Sequence, residues 1–135
     1  SGTSLWWAGA LAGGYSFVPK TSQFNWQHGV TYTDDGTLLV SSKVNGDHTE
    51  LLEYDVNHTD KTLSLKWSYN SGVYANFNGD AWRLANGNSL YVVGNAGLVE
   101  EIDPKGTVLW RYQLSEPKLM GRGQFIADLY KLVSP

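Results

Sequence analysis

Apolar and polar residues alternate along two stretches of the chain. Leu63, Leu65, Trp67 and Tyr69 interleave with Thr62, Ser64, Lys66 and Ser68. Val108, Trp110, Tyr112 and Leu114 interleave with Thr107, Leu109, Arg111 and Gln113. A period of two puts alternate side chains on opposite faces and predicts β-strands with one face on a core. Leu38-Leu39-Val40 and Leu90-Tyr91-Val92-Val93 are continuous apolar runs, which predict strands buried on both faces. Between the runs stand Asp34-Asp35-Gly36, Asn57-His58-Thr59-Asp60-Lys61, Asn86-Gly87-Asn88, Asn95-Ala96-Gly97 and Pro104-Lys105-Gly106. Each supplies residues that tolerate positive φ or pre-set a turn. Near the C-terminus Phe125, Ile126, Leu129 and Tyr130 fit a helix or a strand, and a strand joining a neighbouring unit is the expectation.

The pattern repeats. Glu53-Tyr54-Asp55-Val56 recurs as Glu101-Ile102-Asp103-Pro104, and Leu65-Lys66-Trp67-Ser68-Tyr69 recurs as Leu109-Trp110-Arg111-Tyr112. Each unit reads as four short strands, and a unit of roughly 40–50 residues with four strands is the mark of a β-propeller blade. Gly2-Thr3-Ser4-Leu5-Trp6-Trp7 resembles Gly106-Thr107-Val108-Leu109-Trp110-Arg111, so a third partial copy opens the chain. The expected fold is all-β: a partial propeller of about two four-stranded antiparallel blades with flanking strands. Residues 1–14 are assigned to the last strand of a blade and its connection, 24–70 and 75–115 to the two blades, and 120–135 to a tail. A closed ring takes at least about four blades, so chain before Ser1 or a partner chain is expected to complete it.

Composition agrees with this and removes several classes of function. The 135 residues are 41% hydrophobic, 13% aromatic and 17% charged, which excludes a disordered chain. With no cysteine, the chain has no disulfide, thiolate metal site or Cys nucleophile. The three histidines are not spaced as metal ligands, and neither metal nor cofactor is expected. A net charge of −3 offers no footprint for nucleic acid. No run is apolar enough for a membrane helix. Residues 5–12 resemble a signal-peptide core, but Gly9 interrupts them and no basic segment precedes them. Asn57-His58-Thr59 is a weak glycosylation sequon.

Further motifs follow one another in a suggestive order. Trp6 is followed by Gly13-Gly14, then Gln27-His28, then the Asp35-Gly36 turn into an apolar strand. Gly79-Asp80 and Arg83-Leu84-Ala85-Asn86-Gly87-Asn88-Ser89-Leu90 come next. Glu101-Ile102-Asp103-Pro104-Lys105-Gly106 leads to Trp110. This order resembles the C-terminal part of the arylsulfotransferase family of β-propellers. The resemblance implies sulfuryl transfer between phenolic compounds through a sulfohistidine, with no nucleotide donor. It makes His28 the candidate nucleophile and implies a secreted or periplasmic protein. Further site residues of that family come from blades that precede the Gln-His pair, and Ser41-Ser42 stands where many members carry Asp-Asn.

These residues define the expectations. His28 is catalytic, or else a structural histidine at the start of a blade. Gln27, Trp26, Asp80, Trp82 and Arg83 bind substrate, a small phenolic or sulfated ligand. Arg83 has the alternative of packing on Trp82 or pairing with Asp80, and Lys43 either replaces a cation of that family or is a solvated hairpin lysine. Trp6, Trp67 and Trp110 are expected in the core, and His48 and His58 in solvent. The chain then reads as part of an enzyme, or alternatively as a non-catalytic propeller that binds a ligand or protein or serves assembly.

Overall fold

A computed structural model describes residues 2–44, 46–116, 120–123, 125, 126 and 128. The described residues are all-β, in two sheets. The first sheet contains β1 (Ser16–Val18), β2 (His28–Tyr32), β3 (Leu38–Val44), β4 (His48–Asn57) and β5 (Thr62–Asn70), in the order β1-β5-β4-β3-β2. The second contains β6 (Asp80–Arg83), β7 (Ser89–Val93), β8 (Leu98–Ile102) and β9 (Val108–Gln113), in sequence order. Both predicted four-strand units are therefore antiparallel meanders.

The turns show why these strands pair in this register. In the first turn of each sheet, Thr33 N–H donates to Thr37 O and Gly36 N–H to Thr33 O, just as Leu84 donates to Asn88 and Gly87 to Leu84. The β8–β9 turn repeats the design, with Asp103 bonded to Thr107 and Gly106 to Asp103. In each, a glycine with positive φ closes the turn at the position where only a residue without Cβ sits free of strain.

Two apolar layers result. Leu39, Leu51, Ala81, Tyr91, Val93, Leu98 and Ile102 fill the space between the sheets. Leu38, Val40, Leu52, Tyr54 and Leu63 cover the other face of the first sheet, with Tyr15, Phe17 and Phe24 from the N-terminal segment over them. The run Leu38-Leu39-Val40 is buried on both faces, as its continuous apolarity predicts.

The alternation in β5 predicts one face, and the structure departs from that. Glu53 pairs with Trp67 but Tyr54 with Leu65, so Lys66 is an extra residue in a bulge. Leu63 and Leu65 thus join the outer layer, while Trp67 and Tyr69 join the layer between the sheets. The repeat carries the same bulge at Leu109, since Glu101 pairs with Trp110 and Ile102 with Val108.

Three further expectations are corrected. Residues 2–7 form no strand, and among the described residues no further strand of the blade they were assigned to lies beside them. The edge of β5 is instead taken by β1, in parallel register Phe17 to Leu63. Trp110 is not a core residue: it is 51% exposed, with no sheet beyond it among the described residues. His48 is half-buried rather than solvated, its Nδ1 2.7 Å from Asp47 Oδ2, whereas His58 is exposed as expected, with Tyr15 OH 2.8 Å from its Nδ1. The predicted C-terminal strand falls largely outside the described residues, and residues 125, 126 and 128 are not in one.

Candidate functional site

Strands β2 and β6 lie against each other, with Gly29 close to the backbone of Gly79 and Asp80. His28 pairs with Ser41, but the next register pair is Val30 with Val40, so Gly29 bulges out of β2. Its φ is +57°, and a Cβ there would lie 2.7 Å from both Asp80 Cα and the Gly79 carbonyl oxygen. The absence of a side chain at Gly29 lets the backbones touch and leaves His28 at the mouth of the junction.

An open cleft of about 410 Å³ lies over this junction. It is lined by Gln27, His28, Gly29 and Val30 from the first sheet, by Asn78 and Gly79 ahead of β6, and by Arg122 from the C-terminal segment. Arg122 donates through Nε to Asp80 Oδ2 at 3.3 Å, and Asp80 is wholly buried. The carboxylate therefore holds a cation at the rim of the cleft.

His28 and Ser41 are register partners, and Lys43 is two residues beyond Ser41 on β3, so the three share a face of the sheet. Burial, and after it the Lys43 charge, hold the His28 imidazole below its ordinary value of 6.5. A neutral imidazole has a free lone pair, which a nucleophile or a proton acceptor requires. Lys43 itself is buried, contrary to the solvated hairpin lysine expected from its neighbours. β3 runs on through Val44, and the side chain turns into the structure to bond Asn76.

A model of the arylsulfotransferase (ASST) family matches residues 1–115. The chain belongs to the arylsulfotransferase family. No curated protein matches this arylsulfotransferase-family chain. Among solved structures it is similar to a protein of unknown function from Bacteroides caccae, with 21% identity and a TM-score of 0.48. The match covers 67% of this chain and 32% of that one, so the chain spans about a third of the length of the structure it matches.

In this arylsulfotransferase-family chain the cleft brings together some of the predicted site residues and not others. Gln27 and His28 line it. Trp26 adjoins them, exposed, with the unusual φ of +50°. Asp80 sits beneath it through Arg122. Trp82 faces away from the first sheet and donates its indole N–H to Gly123 O at 3.2 Å. Arg83 is placed elsewhere: it binds Glu53, Ser89 and the Gly87 carbonyl, and lies 5.2 Å from the Trp67 ring centre. It thus joins the two sheets, and its partners are neither Trp82 nor Asp80. Asn57 lies in an exposed turn, its amide donating to Asp60 and accepting from Thr59 and Asp60.

Asn78, Arg122 and Lys43 were not assigned to the site from sequence. Asn78 carries a positive φ of 63°, which is frequent for asparagine in a turn. Arg122 reaches the cleft from a segment with no periodic pattern. Lys43 was weighed only as a stand-in for a family cation, and its i, i+2 relation to Ser41 on the strand paired to His28 is what puts it on the His28 face.

Proposed function

We propose that this chain forms two blades of a secreted or periplasmic arylsulfotransferase-type propeller, and that His28 accepts the sulfuryl group. The observation that carries the reading is His28 at the mouth of a polar cleft, with its imidazole biased to the neutral form, in a family member. In the first step a ring nitrogen of His28 attacks the sulfur of an aryl sulfate. The sulfur–aryl oxygen bond breaks, and its electron pair leaves on the phenolate, which takes up a proton. In the second step a phenol oxygen attacks the sulfur and loses its proton. The nitrogen–sulfur bond then returns its pair to the imidazole. Cations near the cleft, Arg122 and Lys43, lower the cost of the anionic groups gathered there.

The completing blades are proposed from a repeated contact. Between the two sheets, Trp67 and Tyr69 stack 6.3 Å apart, Trp67 donates to Pro104 O at 3.0 Å, and Glu53 holds Arg83. The second sheet presents the same set outward: Trp110 and Tyr112 stack 6.4 Å apart, with Glu101 opposite Trp110. Asn88 bonds Glu101 as Thr37 bonds Glu53. A further blade that brings a cation to Glu101 and a carbonyl to Trp110 would cover this face, in the same chain or a partner.

The test uses the complete assembly with 4-nitrophenyl sulfate. A peptide containing His28, isolated after rapid acid-free quenching, is expected to carry the mass of one added sulfuryl group. Turnover without that adduct, in wild-type protein under single-turnover conditions, would refute the nucleophile assignment. The alternative, a non-catalytic binding or assembly module, is favoured by one observation. Ser41 and Ser42 are both engaged structurally, with Tyr91 and with Asn25. Absence of both adduct and turnover would support it.

A further inference from the structure

The charge of the cleft depends on a segment that β6 grips at two points. Asp80 and Trp82 share one face of that strand, two residues apart. Asp80 Oδ2 accepts from Arg122 Nε at 3.3 Å, and Trp82 donates its indole N–H to Gly123 O at 3.2 Å. Two positions of the strand thus hold two consecutive residues of the segment. Gly123 also lies against Val92, the register partner of Asp80, where a Cβ would come 2.7 Å from Val92 Cγ2.

The partners in this ion pair are unequal. Asp80 is wholly buried, whereas the Arg122 side chain is 76% exposed. Asp80 Oδ1 lies 2.6 Å from the place of a Cβ on Gly29, a residue of the cleft wall, and accepts from the adjacent Ala81 N–H. That amide is neutral, so among the described residues Arg122 is the one counter-charge of Asp80. With Arg122 docked, the carboxylate is compensated and a guanidinium lines the cleft. With Arg122 away, a desolvated carboxylate stands bare behind the cleft wall and repels anions. We infer that Asp80 and Trp82 latch the C-terminal segment, and that the latch makes the cleft receptive to an anion only while Arg122 is docked. The sequence places both residues in contact with substrate. The latch makes them positioning residues instead, which act on a ligand through Arg122. The identity of that anion rests on the sulfuryl transfer proposed above, and the latch does not.

Three measurements on the complete assembly test this. The first is trypsin cleavage after Arg122, followed by mass spectrometry. The protease must draw Arg122 off Asp80 to cut there, so cleavage follows the undocked population. Asp80→Asn keeps the shape and removes the charge, and Trp82→Phe keeps a ring and removes the donor. Each is expected to speed cleavage about fivefold or more. Unchanged cleavage in both variants overturns the latch. The second is the His28 titration, read by NMR. The charged groups about His28 are Lys43 on β3, Asp80 on β6 and Arg122, and with the pair intact Lys43 is the charge that acts on it beside burial. Arg122→Gln is expected to move the titration upward, because a bare carboxylate favours the imidazolium. Adding Asp80→Asn is expected to return it toward the wild type. A titration that ignores Arg122→Gln overturns the charge role. The third is turnover of 4-nitrophenyl sulfate. Arg122→Gln is expected to lower kcat/KM about tenfold or more, chiefly through KM, and Asp80→Asn in that background to restore part of the loss. A further loss in the double variant would put Asp80 in contact with the ligand and overturn its positioning role. If cleavage and titration respond as expected but the wild type turns over no aryl sulfate, the latch stands and the proposed function is refuted.

Discussion

Gly29→Ala is expected to destabilise the fold by about 2–5 kcal/mol, the sum of a left-handed alanine and an overpacked contact. At φ +57° a Cβ meets Asp80 Cα and the Gly79 carbonyl oxygen at 2.7 Å. Both are backbone atoms, so no side chain can rotate away. Relief requires β2 to move from β6, and that opens the layer containing Ala81 and Leu39. Gly36→Ala is the control. It also has positive φ, +78°, but nothing lies within 4 Å of its Cβ position. Its expected cost is only the backbone part, about 1–2 kcal/mol. The difference in urea midpoint at equal slope isolates the close approach. Equal midpoints for the two variants would show that the sheets do not meet at Gly29.

The strands were legible because burial imposes a pattern on them. β3 is apolar on both faces because it lies between two layers, and the sequence run at residues 38–40 says so directly. The turns were legible for a similar reason, since Gly36, Gly87 and Gly106 occupy conformations that other residues enter at a cost. The bulges at Lys66 and Leu109 were not. An extra residue leaves local alternation intact and shows only when the partner strand is known. That one residue sends Trp67 and Tyr69 to the opposite side from Leu63, so one apolar stripe serves two cores.

The candidate site was legible only in part, and the division is physical. His28 stands in a motif, so its neighbours along the chain announce it. Lys43 depends on Asn76, Trp26 and Tyr74, which lie far from it in sequence and meet it only after both sheets form. Arg83 was expected to bind substrate, or else to pack on Trp82 or pair with Asp80. Its face, however, looks toward Glu53, a partner on the other sheet that no spacing reveals. Long-range pairing thus decides which cation is structural and which stands near the cleft.

His28→Asn is expected to lower kcat for aryl sulfate turnover in the complete assembly by roughly a thousandfold or more, as removal of a covalent nucleophile does. Asparagine keeps a polar group near Ser41 but has no lone pair basic enough to hold a sulfuryl group. The urea midpoint is expected to stay close to that of the wild type. A merely structural histidine would instead lose stability together with kcat. The pH profile adds an independent readout. The reactive form is neutral, and burial and Lys43 both lower the His28 pKa from 6.5. The neutral form therefore persists as pH falls through 6.5, and the acid limb of the rate lies below that value. The same shift has a stability counterpart. Below 6.5 the unfolded chain binds this proton more readily than the folded one, so the His28 contribution to stability declines as pH falls toward the lowered pKa. In Lys43→Met the acid limb is expected to rise toward 6.5, since only burial still depresses the imidazole. An acid limb that ignores Lys43, in an enzyme that still needs His28, would mean that another group sets the pH dependence.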